Sequence, residues 1–469
     1  MTRLWRLLAA TALLLGSMST AAVATPAAAA PDDDIMARLK AVPGLTVVAE
    51  QPAPAPYRFF VLTYTQPADH RKPSRGTFEQ RFTLLHKATD RPMVLHTSGY
   101  NVSIRVFRSE PTRLIDGNQI SVEQRFFTPS RPAPADWSKL NIWQAATDHH
   151  RLVTALKPIY AGKWISTGAS KGGMTSIYHR RFYPKDVDGT VAYVAPNDVI
   201  NSEDRRYDRF FTQVGTAECR KAMKDVQAAA LRRRGELVPK YAAWAAANNQ
   251  TFEHVVGDVD HAFEYMVSDA PWAFWQYGNA AGCADVPKAT ASGDEILAWL
   301  DSVAGFSGYT DEGIEPYVPY YFQSGTQLGG PELKTPHLAG LLRYPGQNGP
   351  RSYVPREIPM RFQPLTMLDI DVWVKLSGRQ LMFVYGQNDP WGAEPFRIGP
   401  GTRDAYSYTA AGANHGANIS LLTAKEQVEA TAAVQRWAGV GAPTGLRSVE
   451  APRIPALDAW NPALERQPR

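Results

Sequence analysis

A chain of 469 residues with 44% hydrophobic and 20% charged side chains has the composition of a folded globular protein, which excludes a disordered chain and a membrane bundle. The length allows one large domain with insertions or two to three domains. The formal charge of +5 is scattered, and Arg205-Arg206 and Arg232-Arg233-Arg234 are short runs of the kind that line solvated faces, so nucleic acid is not an expected partner.

Residues 1–30 read as an export signal. Arg3 and Arg6 precede a short apolar run at 7–15, and Ala22-Val23-Ala24 and the alanines at 27–30 offer cleavage sites. The run is too short to span a bilayer stably, and no cysteine lies near it to carry a lipid. The mature protein is therefore expected to be secreted, extracellular and free of the membrane; the alternative is a retained anchor. Export gives the two cysteines a meaning, because an oxidising compartment favours a Cys219–Cys283 disulfide over two free thiols. Closing that loop contributes roughly 4 kcal/mol in chain-entropy terms.

Residues 31–56 are rich in Pro, Ala and Asp and are expected to form an extended lead-in. Strands are expected at 57–65, 77–86, 92–97 and 120–127, a helix at 141–156, a strand at 163–167, a helix at 174–182 and a strand at 191–195. This alternation predicts a parallel sheet with crossover helices. It resumes with strands at 380–385 and 406–408 and an amphipathic helix at 423–437. Between them the texture changes to an Ala- and Arg-rich helical stretch at 220–248, an aromatic cluster at 262–283 and a Tyr-, Pro- and Gly-rich stretch at 316–350. The expected organisation is an α/β core over 31–200 and 371–445, split by a mostly helical cap at 201–370. A Pro-rich tail at 446–469 packs over the surface or hangs loose.

The chemistry centres on Gly168-Ala169-Ser170-Lys171-Gly172, which fits the G-x-S-x-G pattern at a switch from strand to helix. A serine on such a strained turn needs small neighbours, and its hydroxyl is raised above the sheet edge. The following helix points its N-terminus at the site, and the Lys171 N–H is placed to stabilise an oxyanion. The pattern alone is common; the flanking strand and helix raise its weight.

A serine nucleophile needs a base and a group that orients it. On an α/β-hydrolase sheet the order is Ser, acid, His. Asp389 follows the strand at 380–385, and His415 alone among the ten histidines lies further along, in Ala413-Asn414-His415-Gly416-Ala417. Singly, Asp389 could be an Asx-Pro turn and His415 a loop histidine; in order and context they form a triad with Ser170. A second oxyanion donor is expected from Ser98-Gly99-Tyr100-Asn101, with the Tyr100 N–H first choice, unless this is a plain turn. No metal or cofactor is expected, since His149 and His150 are adjacent on one helix and point apart.

With these residues in place the sequence resembles the secreted bacterial tripeptidyl aminopeptidases, in particular the prolyl tri/tetrapeptidyl aminopeptidase family. The resemblance is carried by Glu123-Gln-Arg-Phe-Phe127, Ser130-Arg-Pro132, Asp136-Trp137, Gln144-Ala-Ala-Thr-Asp148, the run from Lys163 through Ser170-Lys171-Gly172-Gly173, Tyr193-Val-Ala-Pro-Asn197, Gly386-Gln-Asn-Asp389 and Asn414-His-Gly416. It is more distantly similar to the lysosomal prolyl carboxypeptidase group, which shares the Ser-Lys-Gly-Gly elbow. The resemblance implies an α/β-hydrolase with a helical cap and release of short peptides from free N-termini, often after proline. It implies peptide substrates, and a monomer is expected. Such an enzyme must hold an ammonium group. Glu203 and Asp204 could do so, or could pair with Arg205 and Arg206 at a helix start. Trp272, Trp275 and Tyr277 could accept proline, or form the core of the cap. A secreted esterase or lipase on the same machinery, or a silent hydrolase fold used for binding, are the competing readings.

Overall fold

The computed structural model describes residues 35–441 and 453–459; the expected export signal lies outside them. Nine strands form one sheet: β1 (Leu45–Gln51), β2 (Arg58–Pro67), β3 (Thr77–His86), β4 (Met93–Thr97), β5 (Asn118–Val122), β6 (Trp164–Ala169), β7 (Gly189–Tyr193), β8 (Arg379–Gly386) and β9 (Arg403–Ala410). Their order is β1-β2-β3-β5-β4-β6-β7-β8-β9. Pairings from β1 through β3 to β5 are antiparallel, and all from β5 to β9 are parallel. The central strands β4 to β7 are buried at every position, as strands covered by helices on both faces must be.

Helices cover both faces. Val94, Ile165, Val191 and Met382 pack against Val434 and Trp437 of the helix Ala424–Trp437. On the other face Ala192 and Phe383 pack against Ile142, Met174, Ile177, Met367 and Ile370 of three further helices. Local sequence sets the helix starts: the Asn141 side chain accepts from the Gln144 N–H at 3.0 Å, and Thr423 with Glu426 forms a capping box.

Between β7 and β8 the chain builds a helical insertion with its own core, in which Val226, Leu237, Tyr241, Phe263, Met266 and Leu300 are buried together. Cys219 and Cys283 are disulfide-bonded within it. The helix Leu365–Ser377 straddles the expected boundary at 370 and packs with the sheet.

Three expectations need correction. The lead-in at 31–56 is not simply extended: it holds the short helix Ile35–Lys40 and β1, because Leu39, Leu45 and Ile35 are apolar enough to seal the edge of the sheet against Leu62 and Tyr64. The strand expected at 120–127 stops at Val122. Beyond it the backbone turns, with Phe126 at φ 73°, so that Glu123 and Arg125 drop into buried polar pockets. The short strand at 406–408 is in fact the eight-residue β9. Of the tail, residues 453–459 pack on the face of the antiparallel part of the sheet, with Leu457 against Tyr57, Phe59 and Leu85 and Asp458 paired with Arg108 at 2.6 Å.

Arg125 and Asp148 tie the β5 loop to the helix Ile142–Leu156. Both side chains are fully buried, with Nε–Oδ2 at 2.6 Å and Nη2–Oδ1 at 2.8 Å, and the spare Arg125 donors reach the Pro67, Ala68 and Lys139 carbonyls. Removing one member of such a pair strands a buried charge. Asp148→Asn is expected to cost about 3–5 kcal/mol, read from urea unfolding midpoints; a loss below about 1 kcal/mol, the range of an exposed pair, would contradict this account.

Candidate active site

The carboxyl ends of β4, β6, β7, β8 and β9 lie along one edge of the sheet, the edge where ligands bind in open α/β folds. Ser170 sits between β6 and the helix Lys171–Phe182 at φ 55°, ψ −129°, a conformation that a side chain adopts only under constraint. The constraint is visible: the Ser170 N–H donates to the Tyr193 carbonyl at 2.9 Å and its carbonyl accepts from Met174 at 3.0 Å. The first amides of the helix, that of Lys171 among them, have no intrahelical acceptor.

His415 and Asp389 meet on the loops that follow β9 and β8. Asp389 follows β8, and its Oδ1 accepts from the Trp391 N–H at 3.0 Å, which aims Oδ2 at His415 Nδ1, 2.8 Å away. Both are buried, at 1% and 0% exposure, against 9% for Ser170. The two loops approach so closely at Gly386 that a Cβ there would lie 2.1 Å from the Asn414 carbonyl. The histidine loop is also tied to the insertion: the His415 N–H donates to the Gln276 carbonyl at 3.0 Å, and the Tyr277 ring stands edge-on to His415 at 5.8 Å.

Tyr100 takes a different part from the one expected. Its N–H donates to Ser98 Oγ at 3.2 Å, whereas its phenol hydroxyl lies near Ser170. Burial, reinforced by Tyr320, pushes this phenol well above the usual tyrosine range, so it is a neutral donor. Lys171 works from below: its Nζ donates to the Gly99 carbonyl and stands 5.4 Å from the rings of both Tyr100 and Phe127. Burial holds its ammonium well below the usual lysine range.

Two abutting cavities open here. The smaller is walled by Ser170, Met174, Asp198, Tyr207 and Leu328; the larger, an open cleft of about 1360 Å³, runs along the helix Val259–Tyr277. Tyr320, Ser324, Pro331 and Trp391 line both. Trp272 lines the larger cleft and packs on Trp391 at 4.7 Å, and Tyr277 neighbours His415. Trp275 does not join them: it is 1% exposed, in the core of the insertion, and faces a separate apolar cavity beside Met223 and Pro336. Glu203 is half-exposed and paired with Arg205 at 2.6 Å, because the i, i+2 spacing lets the side chain fold onto its own helix start. Asp204 is half-buried, and this burial, with Asp208 and Glu332 nearby, raises its carboxyl to about 6; neither residue lines the cavities around Ser170.

Sequence reasoning passed over Asp198, Tyr320, Ser324 and Trp391. Asp198 directly follows the run Tyr193-Val-Ala-Pro-Asn197 after β7, and Trp391 stands two residues after Asp389, so their positions at strand ends are the available signal. Burial, with Asp204 and Glu394 nearby, raises the Asp198 carboxyl to about 7.

A largely parallel sheet in this strand order, with a serine on a strand-to-helix elbow and an acid and a histidine on the loops of two later strands, defines an α/β-hydrolase. The family model for PS-10 peptidase S37 matches residues 28–462, and the chain belongs to that family and is a serine peptidase. A prolyl tri/tetrapeptidyl aminopeptidase of Streptomyces mobaraensis is 55% identical over 99% of this chain and 98% of that protein. Among solved structures, a proline iminopeptidase of Mycobacterium smegmatis is 13% identical with a TM-score of 0.34, over 83% of this chain and 98% of that one. Esterase E22 is 11% identical with a TM-score of 0.39, over 81% and 100%.

Lys171→Met removes the tie to Gly99 without leaving a buried ammonium. The variant is expected to keep its melting temperature while kcat falls about 10²-fold, the cost of a small misplacement at a reacting centre, with KM changed little. A variant with unaltered kcat would show that Lys171 does not hold the Gly99-Tyr100 loop in place.

Proposed function

We propose that this peptidase is secreted and releases tri- or tetrapeptides from free N-termini, with proline preferred at the cleaved bond, through an acyl-enzyme on Ser170. The observation that carries the reading is the buried His415–Asp389 pair, 2.8 Å apart, on the same sheet edge as the strained serine. Ser170 Oγ attacks the peptide carbonyl while His415 Nε2 takes its proton. Asp389 fixes the ring through Nδ1–H and stabilises the imidazolium. The imidazolium then protonates the leaving amine, and water, deprotonated by His415, releases the peptide.

The oxyanion is held by the Lys171 N–H and, in place of a second amide, by the Tyr100 hydroxyl. A neutral phenol that already reaches Ser170 donates to an oxygen that becomes negative next to that serine. The aromatic walls of the larger cleft, among them Trp272, Tyr320 and Tyr321, suit a proline ring. The peptide length and proline preference follow the printed name of the 55% identical Streptomyces protein. Secretion is supported by the charged and apolar pattern of residues 1–30 and by the disulfide, which persists in oxidising compartments.

The test uses the mature protein, a fluorophosphonate probe, a free-amine Xaa-Xaa-Pro-arylamide and its N-acetylated twin. Wild type is expected to be labelled and to cleave the free-amine substrate alone; Ser170→Ala is expected to lose labelling and about 10⁶-fold in kcat. Labelling without peptide cleavage would instead indicate an esterase, and no labelling a binding protein. Tyr100→Phe is expected to lower kcat by about 10²–10³-fold, the cost of one oxyanion donor, with KM within a few fold. An unchanged kcat would return the second donor to the backbone.

A further inference from the structure

The larger cleft contains a carboxylate that the proposed chemistry does not use. Asp269 lies on the wall of the cleft, on the helix Val259–Tyr277. Its Oδ1 accepts from Asn348 Nδ2 at 2.7 Å, and its Oδ2 accepts from the Tyr309 and Tyr353 hydroxyls at 3.2 and 3.4 Å. All of these donors are neutral, and among the described residues no lysine, arginine or histidine forms an ion pair with Asp269. Glu264, which also lines the cleft, is different: it pairs with Arg234 and accepts from the Arg343 and Tyr344 amides, each at 2.8 Å. Asp269 is thus an acidic group facing the cleft without a cation, with lone pairs to spare. Burial raises its carboxyl to about 6 despite those hydrogen bonds, as expected of a site that lacks its counter-charge.

Its position along the helix is informative. Asp269, Trp272, Ala273 and Gln276 line the cleft, a spacing that puts them on one helix face. At the C-terminal end of that face the Gln276 carbonyl holds the His415 N–H, and the Gly278 carbonyl accepts from Asn414 Nδ2 at 2.7 Å. The helix is therefore pinned to the histidine loop. Asp269 stands two turns back from that anchor, about 10.5 Å at 1.5 Å per residue. An extended tripeptide spans about 10 Å.

We infer that Asp269 is the anchor for the substrate's N-terminal ammonium, and that its distance from the histidine loop selects the length of the released peptide. This rests on the exopeptidase reading above. A peptide lying along the cleft would place its acyl carbon at Ser170, its side chains against Trp272 and Tyr320, and its ammonium at Asp269. The ammonium supplies the missing positive charge, and the Tyr309, Tyr353 and Asn348 donors hold the carboxylate in place. An N-acetylated chain, or one longer than a tetrapeptide, would leave Asp269 unpaired.

The test compares wild type, Asp269→Asn and Asp198→Asn on Pro-, Ala-Pro-, Ala-Ala-Pro- and Ala-Ala-Ala-Pro-arylamides and on N-acetyl-Ala-Ala-Pro-arylamide. The rate of fluorophosphonate labelling is followed in parallel to report on the nucleophile. Asp269→Asn is expected to be labelled within about twofold of wild type. It is expected to lose about 100-fold in kcat/KM on Ala-Ala-Pro-arylamide, mainly through KM, and to lose both its length preference and its preference for the free amine. Should the Asn variant fail to label, Asp269→Glu is read in its place. It keeps the charge and is expected to keep the free-amine preference, and loss of that preference in a labelled Glu variant would overturn the inference. Normal labelling of Asp269→Asn with the free-amine preference intact would also overturn it, as would collapse of that preference in Asp198→Asn instead. If wild type itself cleaves the acetylated substrate equally well, the exopeptidase reading fails first and the anchor with it.

Discussion

The site depends on one backbone contact, the approach of the loop after β4 to the first turn of the helix that follows Ser170. A Cβ on Gly172 would lie 2.4 Å from the Thr97 carbonyl, and one on Gly99, at φ +75°, would lie 2.5 Å from the Gly172 nitrogen. Only glycine fits on both sides of that contact. Thr97 Oγ1 fastens it by donating to the Gly172 carbonyl at 2.7 Å. Because the two segments touch through bare backbone, Tyr100 comes to rest over Ser170, and the side chain of Lys171 can turn back to hold the Gly99 carbonyl. The strain at Ser170, the position of the phenol and the burial of the lysine are consequences of the same approach. They are maintained by a sheet whose central strands are buried on both faces.

The helical insertion is a working part of this arrangement. Its longest helix closes one side of the cleft and holds the histidine loop through the Gln276 and Gly278 carbonyls. In the reading proposed above, the sheet supplies the acyl-transfer chemistry, and the insertion supplies the walls and the charge that select the peptide. That division explains why Asp389 and His415 are fixed by short backbone-anchored loops, whereas Asp269 is held by side chains from distant parts of the insertion.

Much of the core was legible because its signals are local. The Gly168-x-Ser170-x-Gly172 elbow, the burial pattern of the parallel strands and the order Ser170, Asp389, His415 all follow from short stretches whose geometry is set by neighbours in sequence. The strand in the lead-in is not legible locally, because β1 is stabilised by its edge pairing with β2, which no local pattern announces. The overrun of β5 takes in Glu123 and Arg125, which lie beyond the last strand residue and are buried in specific polar pockets. That the Tyr100 amide is spent on Ser98 shows only in the packed loop. Trp272 and Trp275 lie on the same helix, yet one faces the cleft and the other the insertion core. Which face of that helix meets the cleft is decided by long-range packing, and for that reason Asp269 could not be singled out from its sequence context.

The central claim, that peptide bonds are broken through an ester on Ser170, is tested most directly by trapping that ester. The protein would be mixed with a free-amine tripeptide ester ending in proline, quenched in acid within the first turnover, and mapped by mass spectrometry after digestion. The account predicts a burst of alcohol close to one equivalent, with a tripeptide acyl group on the fragment that contains Ser170. Turnover without a burst and without an adduct, or an adduct on another residue, would contradict it.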